Sequence, residues 1–232
     1  MTKGTLQLTR AEADYLKTVY SLADEGQRVR TNDLAEALSV SAASATGMIQ
    51  KLAAADPPLL DYQKHYGAAL TPAGRKAALK TLRQHRLVEM FLHKTLGYTW
   101  DEVHEEAERL EHVVSEELEE RIAQSLGDPT HDPHGAPIPT RDLEMPSFSH
   151  ISLETAQAGQ QVRVERVNDH DPALLRHLSD LGIRPGVDLM IASVSPFDGN
   201  ISLHVADSEE HIVLGPGVTS HVFIQASATL QG

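Results

Sequence analysis

Apolar positions recur every three or four residues up to about Leu126 and every second residue from about His150, so one period change divides the chain into a helical part and a strand part. Ala13, Leu16, Val19, Tyr20 and Ala23 follow Thr9, with Glu12 at the capping-box position, which predicts a first helix over Thr9 to Ala23. A shorter helix begins at Thr31 or Asn32. The segment Ser39-Val40-Ser41 turns the chain, and Ser41 caps a third helix that faces Ala45, Met48, Ile49 and Leu52 inward. Two helices joined by a turn of this length have the layout of a helix-turn-helix. Short strands over 59–63 and 68–71, about a Lys64-His65-Tyr66-Gly67 turn, supply the hairpin that makes it winged. Pro72 opens a long helix that runs to Leu96 and is stopped by Gly97, with Leu79, Leu82, Leu87, Val88, Phe91 and Leu92 apolar. One further helix is expected from Trp100-Asp101 to about Leu126, with Val103, Ala107, Leu110 and Val114 as its core stripe. Residues 127–149 are a proline-rich linker. Five short alternating strands then follow, interrupted by a helix over Pro172 to Asp180, and make a small barrel. The expected fold is mainly α with a small β domain: a winged helix-turn-helix over 1–74, a helical metal-binding and dimerisation domain with the linker over 75–149, and a β-barrel over 150–232.

Two chemistries lie on this frame. On a continuous helix His104, Glu108, Glu111 and His112 would share one face, and His85 and Glu89 form an i, i+4 pair on the helix before. Imidazoles and carboxylates on one stripe resist burial unless a cation sits among them, and a mixed nitrogen and oxygen donor set suits a borderline or hard divalent ion. Asp132 and His134 in the linker add to the count. The competing reading is a solvated, Glu-rich helix face. The second chemistry is binding of double-stranded DNA. Short side chains at Ser41, Ala42, Ala43, Ser44, Thr46 and Gly47 let the start of the third helix approach a groove, while Arg28, Arg30, Lys51 and the wing-tip Lys64 are placed for phosphate. A small helical bundle with an alanine-rich interface is the alternative for this segment.

Charge refines the DNA reading. The net charge is −13, but residues 1–75 carry eight Lys and Arg against eight Asp and Glu, so all the acidic excess lies after the winged domain. The absence of cysteine removes thiolate ligands and disulfides, which leaves His, Asp, Glu and carbonyl oxygen for any metal. No apolar run approaches 18 residues and no signal-peptide core opens the chain, so a cytoplasmic protein with no membrane partner is expected.

Asp14-Tyr15-Leu16, the Ser41 to Leu52 helix, Leu70-Thr71-Pro72-Ala73-Gly74, His85-Arg86-Leu87-Val88-Glu89, Val103-His104-Glu105-Glu106-Ala107, Glu111-His112, His134-Gly135-Ala136-Pro137-Ile138-Pro139 and Leu181-Gly182-Ile183-Arg184-Pro185-Gly186 together resemble the DtxR/MntR family of metal-dependent transcriptional repressors, over nearly the whole chain. The resemblance implies an SH3-like, FeoA-like tail and a primary metal site of Asp14, Glu108, Glu111 and His112. It also implies an ancillary site of His85, Glu89 and His104 with Asp132, His134 and Asp171, in which His85 serves either centre. Carboxylates at Asp14 and Glu108, where iron sensors have Met and Cys, imply manganese(II), with iron(II) or another divalent transition metal as the alternative. Lys17 departs from the pattern, since a two-domain manganese sensor has an acidic ligand there. The other histidines, His204 and His211 among them, fall on no ligand spacing.

The expected function is a dimeric, manganese-activated repressor of metal-homeostasis genes that binds a palindromic operator. A metal-dependent hydrolase and a winged-helix regulator with a purely structural metal are the competing readings. The hydrolase leaves the Ser41 helix and the Lys64 wing without a purpose, and no nucleophile or oxyanion motif accompanies the ligands.

Overall fold

The computed structural model describes residues 8–23, 27–206 and 211–226. Contacts within the chain group into two compact units, each described separately below.

The first unit contains residues up to His85, with Glu111–Val113 and Pro139–Met145. Helix α1 (Arg10–Leu22) starts at the expected capping box, in which the Thr9 side chain accepts from Glu12 N and Thr9 N donates to Glu12 Oε2 at 2.8 Å. Helix α2 (Thr31–Ala37) and helix α3 (Ala42–Ala53) follow, α3 being capped by Ser41, whose Oγ accepts from Ser44 N at 3.1 Å. Strands β1 (Leu60–Gln63) and β2 (Gly67–Leu70) pair antiparallel with Leu60 opposite Leu70 and Gln63 opposite Gly67. Val29 and Ala68 exchange backbone hydrogen bonds of 2.9 Å and dock the wing on the helices. Leu16, Val19, Leu34, Ala45, Ile49, Leu52, Leu59 and Leu60 are buried together, which makes this unit's core. Helix α4 (Pro72–Leu96) begins here and continues into the second unit.

In the second unit, Leu87 and Phe91 of α4 pack with Ile122, Ala123, Leu126 and Ile138, while Val88 and Leu92 pack with Val103, Ala107, Leu110 and Val114. The single helix expected from Trp100 to Leu126 is instead two helices, α5 (Val103–Leu110) and α6 (Glu116–Ser125), with a turn over 111–113. Ser115 is the cause. Its side chain accepts from Leu118 N at 3.2 Å, and Glu116 and Glu117 complement the new amino terminus. The β-branched pair Val113-Val114 gives little reason to continue α5. The expected core stripe holds, but Glu111 and His112 leave the helical face that His104 and Glu108 keep.

The remaining strands form one antiparallel sheet in the order β6-β5-β4-β3-β7, built from β3 (Gln161–Val167), β4 (Asp188–Val194), β5 (Ile201–Val205), β6 (His211–Leu214) and β7 (Val222–Ala226). Helix α7 (Pro172–Asp180) and a short helix α8 (Pro216–Thr219) complete the domain. Bulges between Val164 and Arg166 in β3 and between Ile191 and Ser193 in β4 coil the sheet around Leu153, Leu175, Leu178 and Ile183. The sheet is SH3-like, with β6 and β7 as its edges rather than a closed ring. No described helix is long and apolar enough to cross a membrane.

Candidate metal centres and nucleic-acid interface

In the first unit, α1 brings Asp14 to the turn that carries Glu111 and His112. Leu16 and Val19 bury the opposite face of α1 and so fix where Asp14 points. His112 Nε2 lies 2.8 Å from Asp14 Oδ1 and 3.1 Å from Glu111 Oε1. Glu111 is buried, with His85 Nδ1 at 2.6 Å from Oε2 and the Lys17 ammonium donating to Oε1 at 2.7 Å. Burial works against the charged carboxylate, but His85 and Lys17 hold Glu111 below its usual range. Asp14, Glu111 and His112 each offer a donor atom within 4.8 Å of the others. His112 Nε2 is buried without a hydrogen bond, as a ligand atom would be.

In the second unit, Glu89 from α4, His104 from α5, Asp132 and His134 from the proline-rich segment, and Asp169 after β3 converge. His104 Nδ1 lies 3.1 Å from Glu89 Oε1 and 3.5 Å from Asp169 Oδ2. His134 is fully buried. Its Nε2 lies 2.6 Å from Trp100 O, which can only accept, so Nε2 carries the proton and donates. That leaves Nδ1 facing Glu89 Oε2 at 3.8 Å, Asp169 Oδ2 at 3.9 Å and Asp132 Oδ1 at 4.0 Å, with no hydrogen bond. A buried imidazole oriented through one nitrogen and aimed at three carboxylates with the other has the form of a metal ligand with its support in place.

Burial disfavours the charged form of both rings, but Asp169 and Glu89 raise His104 to about 10, and Glu89, Asp132 and Asp169 raise His134 to about 9. Burial first, and then Glu89, push Asp132 up to about 6, against the pull of Arg86. Desolvation also acts on the half-buried Asp169, yet His104 and His134 draw it well below the carboxylate range. These residues fit a divalent ion, since the donors are all oxygen and nitrogen and include the unbonded His134 Nδ1 and Asp132 Oδ2.

The loop that presents Asp132 and His134 is held by its own backbone, with Asp132 Oδ1 accepting from His134 N and Ala136 N at 2.9 Å each. Gly135 between them has φ +84°, and a Cβ there would meet Glu165 O at 2.1 Å. Gly135→Ala is therefore expected to destabilise this unit by about 3 kcal/mol. Thermal unfolding would show it as a drop of several degrees in Tm; an unchanged Tm would mean that the loop is free to rearrange.

One placement differs from the expected ligand sets. Asp171 is not in the second cluster. It is the N-cap of α7, where Oδ1 accepts from Ala173 N at 2.8 Å and from Leu174 N at 3.3 Å, and Asp169 stands in the cluster instead. The cue was present, because an aspartate directly before a proline that opens a helix reads as a cap. Glu108 remains on α5 with Oε1 3.9 Å from His104 Nε2, and is half-buried.

The winged domain presents its small-residue helix start to solvent. Ser41, Ala43, Ser44 and Gly47 are exposed, and Thr46 is half-buried with its hydroxyl donating to Ala42 O. Lys64 is exposed on the hairpin. The other three cations are paired within the unit. Arg28 bonds to Asp61, Arg30 forms two 2.9 Å bonds to Asp33, and Lys51 lies 3.0 Å from Glu12. Gln50, exposed on α3, was not singled out from the sequence, although a glutamine on a recognition helix can pair with an adenine edge.

A winged reading head and buried carboxylate–imidazole clusters in one chain define a metal-responsive DNA-binding regulator. Comparisons with known proteins agree. Residues 7–68 match the iron dependent repressor N-terminal DNA binding domain, residues 71–140 the iron dependent repressor metal binding and dimerisation domain, and residues 151–226 the FeoA domain. The chain is 32% identical over 213 residues to the iron-dependent repressor IdeR of Mycobacterium leprae, covering 84% of this chain and 88% of that protein. It is 30% identical to the diphtheria toxin repressor of Corynebacterium diphtheriae, covering 82% and 86%. Among solved structures it resembles a manganese-dependent transcriptional repressor in complex with manganese, with a TM-score of 0.85 and 38% identity over 93% of this chain and 99% of that one. ScaR with bound Zn²⁺ gives a TM-score of 0.79 at 32% identity, covering 93% and 99%. The chain belongs to the iron-dependent repressor (DtxR) family of DNA-binding metalloregulatory repressors, which are not enzymes.

Proposed function

We propose that this metal-dependent repressor is activated by manganese(II) and acts in the cytoplasm as a homodimer on a palindromic operator upstream of metal-homeostasis genes. The division of labour is that of the three segments 1–74, 75–149 and 150–232: DNA binding, metal binding with dimerisation, and a FeoA-type tail. The observation that carries the reading is the meeting of Asp14 with Glu111 and His112, which links the helix ahead of the reading head to the turn after α5 through groups that favour a shared cation. The primary ligands are Asp14, Glu111 and His112, with Glu108 assigned by resemblance. The second set is Glu89, His104, Asp132 and His134, completed by Asp169, and His85 supports Glu111.

A bound divalent ion supplies the positive charge that lets these carboxylates stay close together, at the cost of no thiolate or thioether contact. An all-oxygen-and-nitrogen set favours manganese over softer ions. The exposed starts of α3 and the Lys64 hairpin meet the duplex, with Ser41, Ala43, Ser44, Thr46, Gly47 and Gln50 at the groove, and two-fold symmetry of the dimer gives the operator its palindrome. Arg28, Arg30 and Lys51 reach phosphate only by leaving Asp61, Asp33 and Glu12.

The likeness to the iron-dependent repressor IdeR supports iron(II) as the second reading. The discriminating experiment selects duplexes from a random library with the manganese-loaded full chain and then measures affinity for the selected duplex at fixed salt, metal-free, with Mn²⁺ and with Fe²⁺ under anaerobic conditions. A gain of about tenfold or more with Mn²⁺ at lower free concentration than Fe²⁺ is expected. Equal affinity with and without either ion refutes metal activation, and a gain confined to Fe²⁺ selects the second reading.

A further inference from the structure

We propose that His204 and His211 form a separate bis-imidazole site, on the outer face of the C-terminal sheet, for a late first-row divalent ion, copper(II) foremost and zinc(II) after it. The two residues are direct partners in the β5–β6 ladder. Their neighbours Leu203, Ile212 and Leu214 are buried, so alternation sends both histidines to the solvent side. The ring centroids are 5.3 Å apart and the planes are inclined by 65°. Two imidazoles bound at adjacent positions, each nitrogen about 2.0 Å from the ion, have centroids about 5 Å apart, so chelation asks for ring rotation and no movement of the strands. The ladder already sets the spacing, which spares most of the ordering cost of binding.

Among the described residues neither ring has a hydrogen bond or an ion pair. Among the described residues no carboxylate contributes to the pair. That donor set inverts the preference of the carboxylate-rich centres, because two imidazoles hold Cu²⁺ and Zn²⁺ far better than Mn²⁺. Among the described residues the face is open, and water would fill the remaining positions of a bound ion.

The test uses the full chain. Calorimetric titration with Cu²⁺ is expected to show one more ion per chain for the parent than for the His204→Gln/His211→Gln double variant, while the Mn²⁺ stoichiometry and the far-ultraviolet circular dichroism of the two match. Frozen-solution electron paramagnetic resonance of the parent is expected to contain a two-nitrogen copper signal that the variant lacks. In a ¹⁵N-labelled parent, Cu²⁺ is expected to broaden the amides of β5 and β6, a readout that depends on no substitution. Equal Cu²⁺ stoichiometry in parent and variant, or broadening that spares β5 and β6, overturns the proposal.

Discussion

Asp14→Asn is expected to leave the metal-free chain's affinity for its selected duplex unchanged and to remove the increase that manganese(II) brings. The amide keeps the size of the side chain but loses the charge that faces His112 Nε2 at 2.8 Å. Asp14 lies at the edge of the cluster with its side chain a quarter exposed, so the cost to folding is below about 1 kcal/mol. Glu111 keeps Lys17 and His85, so the turn over 111–113 stays anchored. What is lost is the carboxylate by which α1 would share an ion with that turn. Couplings of this kind are worth about 1 to 3 kcal/mol, so the manganese-induced gain, about 5- to 150-fold, should fall to about onefold. Fluorescence anisotropy of the labelled duplex, with and without Mn²⁺, reads the difference directly. A variant that keeps the full gain removes Asp14 from the ligand set.

Most of the architecture was legible in the sequence because local chemistry and global fold agree there. The Thr9–Glu12 box, the Ser41 cap, Pro72 at the head of α4 and the alternating strands each mark an element that forms as expected. The break after Leu110 was missed because the apolar stripe of Val103, Ala107, Leu110 and Val114 continues across it; the period survives a turn, and only Ser115 signals a second start. The metal residues were found by type more readily than by place. Glu111 and His112 reach Asp14 from a turn and not from a helix face, and Asp169 takes the place expected of Asp171 because capping α7 occupies the latter. The i, i+3 spacing of Arg30 and Asp33 already encodes that pair, whereas the pairing of Arg28 with Asp61 and of Lys51 with Glu12, and the register that sets His204 opposite His211, are products of chain folding that linear spacing does not encode.

Metal binding at the second centre is expected to release about two protons per ion at neutral pH. Without an ion, the carboxylates of Glu89, Asp132 and Asp169 are balanced by protonated His104 and His134 together with Arg86, which lies 3.4 Å from Asp132. The raised values of the two rings, about 10 and about 9, make them imidazolium at pH 7, although burial opposes the charge. Asp132, pushed up to about 6, has largely lost its own proton by then. An imidazole that ligates gives its lone pair to the ion, so each ring must first shed a proton. A folded-state value above the ordinary 6.5 means stabilisation that is complete below about pH 6.5 and lost as pH rises through about 9 and then about 10. The metal-free protein should therefore lose stability on going from pH 6.5 to 8.5, by up to about 1.4 kcal/mol per pH unit for each ring. The manganese-loaded protein, whose rings are already neutral, should not. The gap between the two melting temperatures widens with pH, and manganese affinity rises by up to about 100-fold per unit for two protons. Calorimetry in buffers of different ionisation enthalpy counts the protons, and paired melts at pH 6.5, 7.5 and 8.5 follow the gap. Binding without proton release, with metal-free and loaded melts running parallel, would take His104 and His134 out of the coordination sphere.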